Sequence, residues 1–399
     1  MHRDLEGADD EASPNKETIL ADRLTDILFE LQPWMLRDLE LLVSSESPST
    51  HQAHLNTAAG AVSALGKRLV GSEPKYLPGE GCSHLLWTLG DKPRVLIVGH
   101  YDTVWPAGTI RRWPFTVEED KASGPGCFDM KAGIVQAFYA VHALGRPDGI
   151  QILFTGDEET GSVSSRDAIE ELAAEVEAVL VLEASLDGAL KTSRKGSSMY
   201  RFHVHGRASH AGLDPEKGIN ATVEMAHQIL LIDALQDTAR GTTVTATTLR
   251  SGEASNQVPP SAWLDVDVRA TSMSELARVD AALRSLRPTL DGAVLHVEGG
   301  IDRGPLEHAQ ASELFIRARD VAHGLGLPQL REATAGGTSD GNLTAALGIP
   351  TLDGLGAVGA GAHSEGEWIQ ISAMPERAAL LAGLIDSLLV SPINDCTNR

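Results

Sequence analysis

Cysteine and aromatic residues are scarce in this sequence. Its three cysteines, Cys82, Cys127 and Cys396, form no CxxC pair. A disulfide framework needs more cysteines in an even number, so a protein held together by disulfide bonds is excluded. Aromatic residues make up 4% of the chain and hydrophobic residues 42%, with 39 glycines. This is an ordinary globular composition, and it favours an α/β protein.

Positive charge and long apolar runs are also lacking. Lysine and arginine together number 33 against 55 aspartates and glutamates, which gives a formal net charge of -22. An acidic surface repels phosphate backbones and anionic lipids, so we expect neither a nucleic acid nor a membrane among the partners. No stretch reaches the roughly 18 apolar residues that a membrane helix requires. Residues 1–16 lack the apolar core of a signal peptide, so we expect a cytoplasmic protein.

Short apolar runs alternate with helical patterns in the first half of the chain. Residues 94–99, 150–155 and 178–182 are predicted strands, and residues 129–144 and 164–174 are predicted helices. Strands that alternate with helices are typical of a mostly parallel sheet covered on both faces. The predicted fold class is therefore α/β, with a mixed, mostly parallel sheet flanked by helices.

The pattern changes near Lys195. Between residues 199 and 298 the predicted elements follow the order β-α-β-β-α-β, which is the ferredoxin-like order. After about Pro305 the α/β pattern returns. We therefore predict a large α/β domain interrupted by a smaller α+β domain. The predicted boundaries are a disordered tail at 1–16, the first part of the large domain at 17–194, the inserted domain at 195–304 and the second part of the large domain at 305–399.

Histidine and carboxylate residues follow the predicted strands, where ligands collect in open α/β sheets. His100 and Asp102 come directly after the apolar run RVLIVG. Two residues apart on an extended chain, they point the same way. Asp102 can then accept a proton from one ring nitrogen of His100 while the other nitrogen binds a metal. By itself such a pair is about as often a purely structural hydrogen bond.

Two more groups of carboxylates lie at the ends or starts of predicted elements. Asp129 comes after a Gly-Pro-Gly turn at the start of a predicted helix, where an ordinary N-cap aspartate is the alternative. Asp157, Glu158 and Glu159 follow a predicted buried strand, where adjacent carboxylates repel one another unless cations are near. Because adjacent side chains diverge, one glutamate can bind metal while the other stays free as a base. An acidic loop without a ligand is the alternative.

Glu183 and His363 complete the set of candidates. Glu183 ends the run AVLVLE, and His363 lies in the glycine-rich segment GLGAVGAGAHSEGEW. Together the candidates offer two histidines and three carboxylates as ligands, with one glutamate left over. Nitrogen and oxygen ligands without thiolate suit Zn²⁺, Co²⁺ or Mn²⁺. Two such metals about 3.5–4 Å apart can hold a water, lower its pKa and polarise a carbonyl.

Six segments occur in a recognisable order between about residues 94 and 390. They are GHYDTVWP, GCFDMKAG, GDEETGS, GRASHAG, GGTSDGN and GAHSEGEW. Any one of them is weak evidence, whereas the ordered set is specific. The chain resembles the M20 family of metallopeptidases, most closely its glutamate carboxypeptidase (carboxypeptidase G2-like) branch. The resemblance implies a fold of the di-zinc exopeptidase type, in which the inserted domain is a lid and a homodimer interface.

The resemblance also implies which residues hold the metals. Asp129 would bridge two divalent ions per subunit, with zinc favoured over cobalt or manganese. His100 and Glu183 would complete one metal site, and Glu159 and His363 the other. The chain departs from many relatives in carrying methionine rather than aspartate directly after the bridging residue, which the carboxypeptidase branch tolerates.

The remaining carboxylate and one further histidine receive catalytic roles from the resemblance. Glu158 would be the general base and would later protonate the leaving amine, because a base must reach the activated water without being a ligand. Asp102 would be the partner of His100. His210, in GRASHAG, would come from the neighbouring subunit and stabilise the oxyanion. A histidine in a surface turn is the alternative for His210.

The substrate-binding residues are implied in the same way. Asn256 and Arg269 would hold the terminal carboxylate of the substrate, for which arginine is suited by its paired hydrogen bonds. A salt bridge at a strand edge is the alternative for Arg269. The loop residues Gly336, Gly337, Thr338 and Ser339 would add donors.

The leading hypothesis is therefore a metallocarboxypeptidase. It would release a C-terminal amino acid, glutamate-like, from an acyl, aryl-amide or peptidyl group of a small-molecule or short-peptide substrate with a free carboxylate. The alternative within the same chemistry is an N-acyl amino acid deacylase, such as an acetylornithine deacetylase or a succinyl-diaminopimelate desuccinylase. A catalytically inactive metal-binding scaffold is a remote alternative, because no ligand and no base is missing.

Overall fold

The computed structural model describes residues 16–393, with side chains from Leu24 onward. The α-helices of this part are α1 (Lys16–Ser44), α2 (Gln52–Val70), α3 (Thr109–Arg112), α4 (Ala132–Ala143), α5 (Arg166–Ala173), α6 (Ala221–Asp233), α7 (Met273–Ser285), α8 (His308–Gly324), α9 (Asp340–Ala346) and α10 (Ala373–Val390). The disordered tail predicted at residues 1–16 lies outside the described residues, apart from Lys16, which begins α1.

The strands fall into two large sheets and several short pairings. They are β1 (Lys75–Pro78), β2 (Ser83–Leu89), β3 (Val95–His100), β4 (Thr116–Glu118), β5 (Lys121–Ser123), β6 (Ile150–Thr155), β7 (Ala178–Val181), β8 (Leu190–Arg194), β9 (Gly196–His205), β10 (Ser209–His210), β11 (Thr243–Ser251), β12 (Gln257–Val258), β13 (Ser261–Ala270), β14 (Val294–Arg303), β15 (Glu332–Ala335), β16 (Thr351–Leu352), β17 (Gly359–Ala360) and β18 (Trp368–Gln370).

The main sheet has six strands in the order β1-β2-β6-β3-β7-β16. The pairs from β6 to β16 are parallel, and β1 and β2 add an antiparallel edge. Strands β3, β6 and β7 are buried along their whole length, as expected for strands covered by helices on both faces. The predicted fold class, a mixed and mostly parallel sheet flanked by helices, is confirmed.

Alternate side chains of the central strand enter two different cores. Ile97 packs in the large cluster that includes side chains of α1, α2, α4 and α10. Val98 lies on the opposite face, in a smaller cluster with Ile169 of α5 and Leu343 of α9. The sheet is therefore held rigidly from both sides, which fixes where the carboxyl ends of its strands lie.

A second sheet has four antiparallel strands in the order β11-β13-β9-β14. Helices α6 and α7 pack on one face and share a separate hydrophobic cluster with it. The chain order β9-α6-β11-β13-α7-β14 is the ferredoxin-like order expected from the sequence. The domain boundaries at 194/195 and 304/305 stay a prediction.

One predicted helix begins later than expected. The sequence pattern placed its start at Asp129, but α4 begins at Ala132. Asp129 lies in the wide turn Cys127–Lys131 with an extended backbone (φ -117°, ψ 93°). The prediction was wrong by three residues because the apolar periodicity of the helix continues into this turn, where Phe128 and Met130 are also buried. None of the described helices is long and apolar enough to cross a membrane.

Candidate metal centre

Three neighbouring parallel strands bring the candidate residues to one edge of the main sheet. His100 is the last residue of β3, Asp157 follows β6, and Glu183 follows β7. Strand β3 pairs in parallel with both β6 and β7, so the three carboxyl ends meet. Ligand sites in open α/β sheets occupy this edge.

Four side chains converge around the carboxylate of Asp129. His100 Nε2 lies 3.3 Å from Asp129 Oδ1 and 3.5 Å from Glu183 Oε1. His363 Nε2 lies 3.4 Å from Asp129 Oδ2 and 3.1 Å from Glu159 Oε2. Each oxygen of Asp129 therefore faces a different histidine. The carboxylate divides the cluster into two halves, each with one histidine and one glutamate.

The donor set fits two divalent cations. His100, Asp129 and Glu159 offer ligand atoms that all lie within 4.8 Å of one another, and so do His100, Glu158 and Glu183. The two groups share His100, and His363 approaches Asp129 and Glu159 from the other side. Glu159 Oε1 is buried and has no hydrogen-bond partner among the described residues. A buried carboxylate oxygen without a partner is costly unless a cation neutralises it. Imidazole and carboxylate ligands without thiolate match zinc, cobalt or manganese.

Glu158 lies beside this cluster with 13% of its side chain exposed, and no protein donor among the described residues makes a hydrogen bond to its carboxylate. Burial, together with the negative charges of Asp340 and Glu183, raises the pKa of Glu158 well above its usual range, although His100 and Arg303 oppose this. A carboxyl group with a raised pKa can hold a proton at neutral pH, as a group that alternates between base and acid must.

Asp102 lies beside His100, and it also contacts the acidic turn. His100 Nδ1 lies 3.1 Å from the backbone oxygen of Asp102 and 3.4 Å from its carboxylate. The carboxylate itself accepts hydrogen bonds from the backbone N–H groups of Glu158 and Glu159 and from the Ser49 hydroxyl. The imidazole ring of His100 is therefore close to both the backbone oxygen and the carboxylate of Asp102. The role of Asp102 as the partner of His100 stays a prediction.

His363 is presented by a loop and remains about half exposed. Its backbone has φ 60°, in the left-handed region that residues other than glycine seldom adopt. Hydrogen bonds to Asp129 and Glu159 raise the pKa of His363 to about 10. The buried Glu367 follows in the same segment and accepts hydrogen bonds from the Trp105 indole and the backbone N–H of Phe128, next to Asp129.

Sequence reasoning missed several charged residues around the cluster. Arg194 Nη2 lies 3.4 Å from Glu183 Oε2, its Nε donates to Asp353, and its Nη1 donates to the backbone oxygen of Gly337. Arg303 approaches Glu158 at 3.6 Å. Neither arginine belongs to one of the six segments quoted above, so no sequence signal pointed to either.

The predicted loop of substrate-binding residues lies near the cluster. The backbone oxygens of Gly337 and Thr338 accept from Arg194, the same side chain that approaches Glu183. Ser339 is buried and caps α9 through its hydroxyl. Gly336 and Gly337 are exposed.

The other three predicted residues lie elsewhere. His210 is exposed in β10, which pairs only with β12, and Asn256 is exposed in the turn before β12. Arg269 lies in β13 and pairs with Asp267 two residues before it. Within the described part of the chain, none of the three makes a hydrogen bond or ion pair with the candidate metal ligands. Their roles stay predictions, and they require a second subunit or a movement of the second sheet.

Imidazoles and carboxylates that converge at the strand ends of a mixed α/β sheet are typical of a metal-dependent hydrolase. The chain belongs to peptidase family M20/M25/M40, whose family model matches residues 96–387. It is therefore an enzyme of the metallopeptidase and amidohydrolase class, and the family resemblance seen in the sequence is confirmed.

Three similar proteins illustrate the relationship. Carboxypeptidase G2 of Pseudomonas sp. (strain RS-16) is 32% identical, across 93% of this chain and 94% of its own. Succinyl-diaminopimelate desuccinylase 2 of Shewanella loihica (strain ATCC BAA-1088 / PV-4) is 27% identical, across 73% of this chain and 87% of its own. The crystal structure of aminopeptidase PepT from Bacillus cereus ATCC 10987 superposes with a TM-score of 0.71 at 19% identity, covering 92% of this chain and 99% of that one, and so shows a shared fold.

Proposed function

We propose that the protein is a dinuclear metal-dependent carboxypeptidase. It hydrolyses the amide bond between a C-terminal, glutamate-like amino acid and an acyl, aryl-amide or peptidyl group. The observation that carries the proposal is the carboxylate of Asp129, which lies between His100 and His363 with one oxygen toward each. A bridging carboxylate with a histidine on either side is the arrangement that two adjacent cations need.

The ligands divide between the two halves of the cluster. His100 and Glu183 would hold one ion, Glu159 and His363 the other, and Asp129 both. When bound, two divalent cations, zinc above all, would supply a water of lowered pKa and polarise the scissile carbonyl. The oxygen and nitrogen donors support zinc, with cobalt or manganese as close substitutes.

Glu158 is the proposed general base. It lies next to the proposed ligand Glu159 in the chain, is largely enclosed at the cluster, and has a raised pKa. A carboxylate in this position accepts a proton from the attacking water and delivers it to the leaving amine. The Asp102 carboxylate accepts hydrogen bonds from the backbone of this turn and lies beside Nδ1 of His100. Asp102 would therefore position both the base Glu158 and the ligand His100.

The free carboxylate of the substrate is the group by which we propose the protein binds it. Asn256 and Arg269 would bind it, and the backbone groups and hydroxyls of residues 336–339 would add contacts. Arg269 is partly exposed and already carries a bidentate partner, Asp267, which a substrate carboxylate would have to replace or share. The similarity to carboxypeptidase G2 supports a glutamate-like amino acid.

A homodimer is part of the proposal, with the second sheet as lid and interface. Helix α6 leaves three large apolar side chains exposed, Val223, Leu230 and Leu231, of which Leu230 is 70% exposed. Strand β11 next to it is an edge of the second sheet, and both its faces are largely exposed. An apolar helix face beside a free strand edge suits a symmetric contact between two copies. In such a dimer His210 would serve the active site of the partner.

The alternative function is removal of an acyl group from an N-acyl amino acid. The similarity to a succinyl-diaminopimelate desuccinylase supports it, and the metal centre described above serves both reactions equally. The carboxypeptidase and the deacylase differ in which part of the substrate is recognised beside the metal centre. Assays with a set of substrates therefore distinguish the two functions, whereas the geometry of the proposed ligands does not.

Metal analysis combined with a hydrolysis assay tests the proposal. The purified protein is assayed for metal content and for hydrolysis of benzoyl-, folyl- and acetyl-glutamate, acetylornithine and succinyl-diaminopimelate, before and after chelation. The proposal predicts two ions per chain and chelator-sensitive release of glutamate, restored by Zn²⁺, Co²⁺ or Mn²⁺. Preferred hydrolysis of the last two substrates would favour the deacylase. No bound metal and no restored activity would contradict both.

A further inference from the structure

A buried arginine lies where the second sheet joins the main domain. Arg303 is the last residue of β14 and is 3% exposed. Its strand pairs with β9, in which Ser197 lies opposite Arg303. The chain therefore crosses between the two sheets at two adjacent points, one just before β9 and one just after Arg303.

The guanidinium of Arg303 is held on one side only. Its Nη2 donates to Ser162 Oγ at 2.7 Å, and Ser162 in turn donates to Asp340. Its Nη1 lies 3.6 Å from Asp340 Oδ1 and 3.6 Å from Glu158 Oε1, and it has no hydrogen-bond partner in the described part of the chain. Both distances exceed the usual hydrogen-bond range of about 2.7–3.2 Å. A buried N–H donor thus faces the proposed base without bonding to it.

One side chain makes hydrogen bonds to both of the segments that connect the two sheets. Asn342 is fully buried, and its Nδ2 donates to the backbone oxygens of Lys195 (3.1 Å) and Gly304 (2.7 Å). Its Oδ1 accepts from the backbone N–H of Ser339, at the end of the loop assigned to substrate binding. Arg303 therefore lies directly beside the point at which the second sheet joins the main domain.

We propose that Arg303 is a positioning residue that orients the carboxylate of Glu158 in response to the position of the second sheet. The proposal rests on the proposed function, in which Glu158 is the base. A shift of about 0.5–1 Å brings Nη1 within hydrogen-bond distance of Glu158 Oε1. The charge-assisted bond then fixes that oxygen and leaves the other directed at the metal ligands. Closure of the second sheet over a substrate would then also align the carboxylate of Glu158.

Kinetics of Arg303 variants test this role. Arg303→Ala is expected to lower kcat by about 10- to 100-fold, as for loss of a charge-assisted hydrogen bond, with little change in KM. Arg303→Lys keeps the charge and is expected to recover part of that loss. The matched control is Arg94→Lys, because Arg94 pairs with Glu177 and the backbone of α10 at the opposite end of β3. The control is expected to keep the kcat of the parent protein.

A second measurement needs neither metal nor turnover. In the metal-free protein, hydrogen exchange of the backbone amides in residues 156–163 is expected to be faster in Arg303→Ala than in the parent protein or in Arg94→Lys. Ser162→Ala removes the partner of Nη2 without removing charge. It is expected to change kcat and exchange in the same direction by smaller amounts, which keeps the test valid if Arg303→Ala does not fold.

The outcomes separate this inference from the proposed function. A raised KM with unchanged kcat in the Arg303 variants would make Arg303 a substrate ligand and overturn the inference. Unchanged kcat and unchanged exchange would overturn it as well. Glu158→Gln is measured in parallel. If that variant is inactive while the Arg303 variants match the parent protein, only the present inference fails, whereas full activity of Glu158→Gln removes the proposed function too.

Discussion

Asp102 Oδ2 accepts a hydrogen bond from the backbone N–H of Glu159 at 3.1 Å, and its other carboxylate oxygen accepts one from the N–H of Glu158 at 3.2 Å. Asp102, just after β3, therefore makes hydrogen bonds to the turn that contains Glu158 and Glu159, just after β6. Because His100 precedes Asp102 by two residues, the same side chain links a proposed histidine ligand at the end of β3 to the two glutamates that follow β6. A change at Asp102 must disturb both.

Asp102→Asn is expected to weaken metal binding by about 10- to 100-fold, as for other partners of metal ligands. The amide has one accepting oxygen in place of two, so one backbone N–H of the acidic turn loses its partner. The metal dissociation constant is measured by competition with a chromophoric chelator. The control is Ser49→Ala, which removes only the hydroxyl that donates to Asp102. Equal metal affinity in Asp102→Asn and the parent protein would show that Asp102 does not support the centre.

Metal is expected to stabilise the folded protein. Ions that bind only the folded state add about 2.7 kcal/mol at a free concentration 100 times their dissociation constant. The midpoint of thermal unfolding should therefore rise when Zn²⁺ is added to the chelated protein. His363→Ala, which lacks one ligand, should show a smaller rise. The absence of any metal-dependent rise in the parent protein would argue against a preformed site.

His210→Ala is expected to lower kcat by about 10²–10³ if His210 stabilises the oxyanion. If it acts in the partner's active site, mixing His210→Ala with the inactive Glu158→Gln should restore activity. Random exchange makes half of the dimers mixed, and each has one complete site, so about a quarter of the parent activity is expected. The measurement is turnover after subunit exchange, with size-exclusion chromatography to establish the dimer. No recovery on exchange would place His210 outside the partner's site.

Glu224 should stabilise the second sheet in a pH-dependent way. Burial opposes its charge, but N–H groups of Thr289 and Leu290 and the Gln228 amide donate to it, and the pKa of Glu224 lies below its usual value. A depressed folded-state pKa gives a stability contribution that is complete above about pH 4.3, the unfolded value, and is lost as the pH falls through the folded value.

Glu224→Gln is accordingly expected to lower the free energy of unfolding by roughly 1–3 kcal/mol at pH 7. Urea unfolding at pH 7 and in steps below pH 4 measures the difference between variant and parent protein. The difference should shrink as the carboxylate becomes protonated in the folded state. A difference that stays constant with pH would mean that packing, and not the charge, accounts for the effect.

The sequence could predict the main sheet and the ligand positions because both depend on local pattern. Strand β3 is a continuous apolar run that ends at His100, and Glu183 likewise follows the apolar strand β7. Parallel pairing then brings such residues together regardless of the intervening chain. The structure places the other four predicted ligands around Asp129, while the roles of all five as ligands remain proposals.

Contacts between distant segments could not be predicted in this way. Arg303 reaches Ser162, and Asn342 reaches Lys195, across more than a hundred residues of chain. Arg303 lies in none of the six quoted segments. Asn342 ends the segment GGTSDGN, but that pattern gives no sign of its hydrogen bonds to Lys195 and Gly304. The late start of α4 has a similar cause, because buried residues in a turn continue the apolar periodicity of a helix.

Turnover and metal content of Glu158→Gln test whether Glu158 is the base of a two-metal centre. The substitution keeps the shape of the side chain and removes its ability to accept a proton, while Asp129 and the other four proposed ligands are untouched. We expect two bound ions, as in the parent protein, and a loss of kcat of about 10²–10⁴ on the best glutamate substrate. Normal turnover with two bound ions would contradict it, because the base would then lie elsewhere.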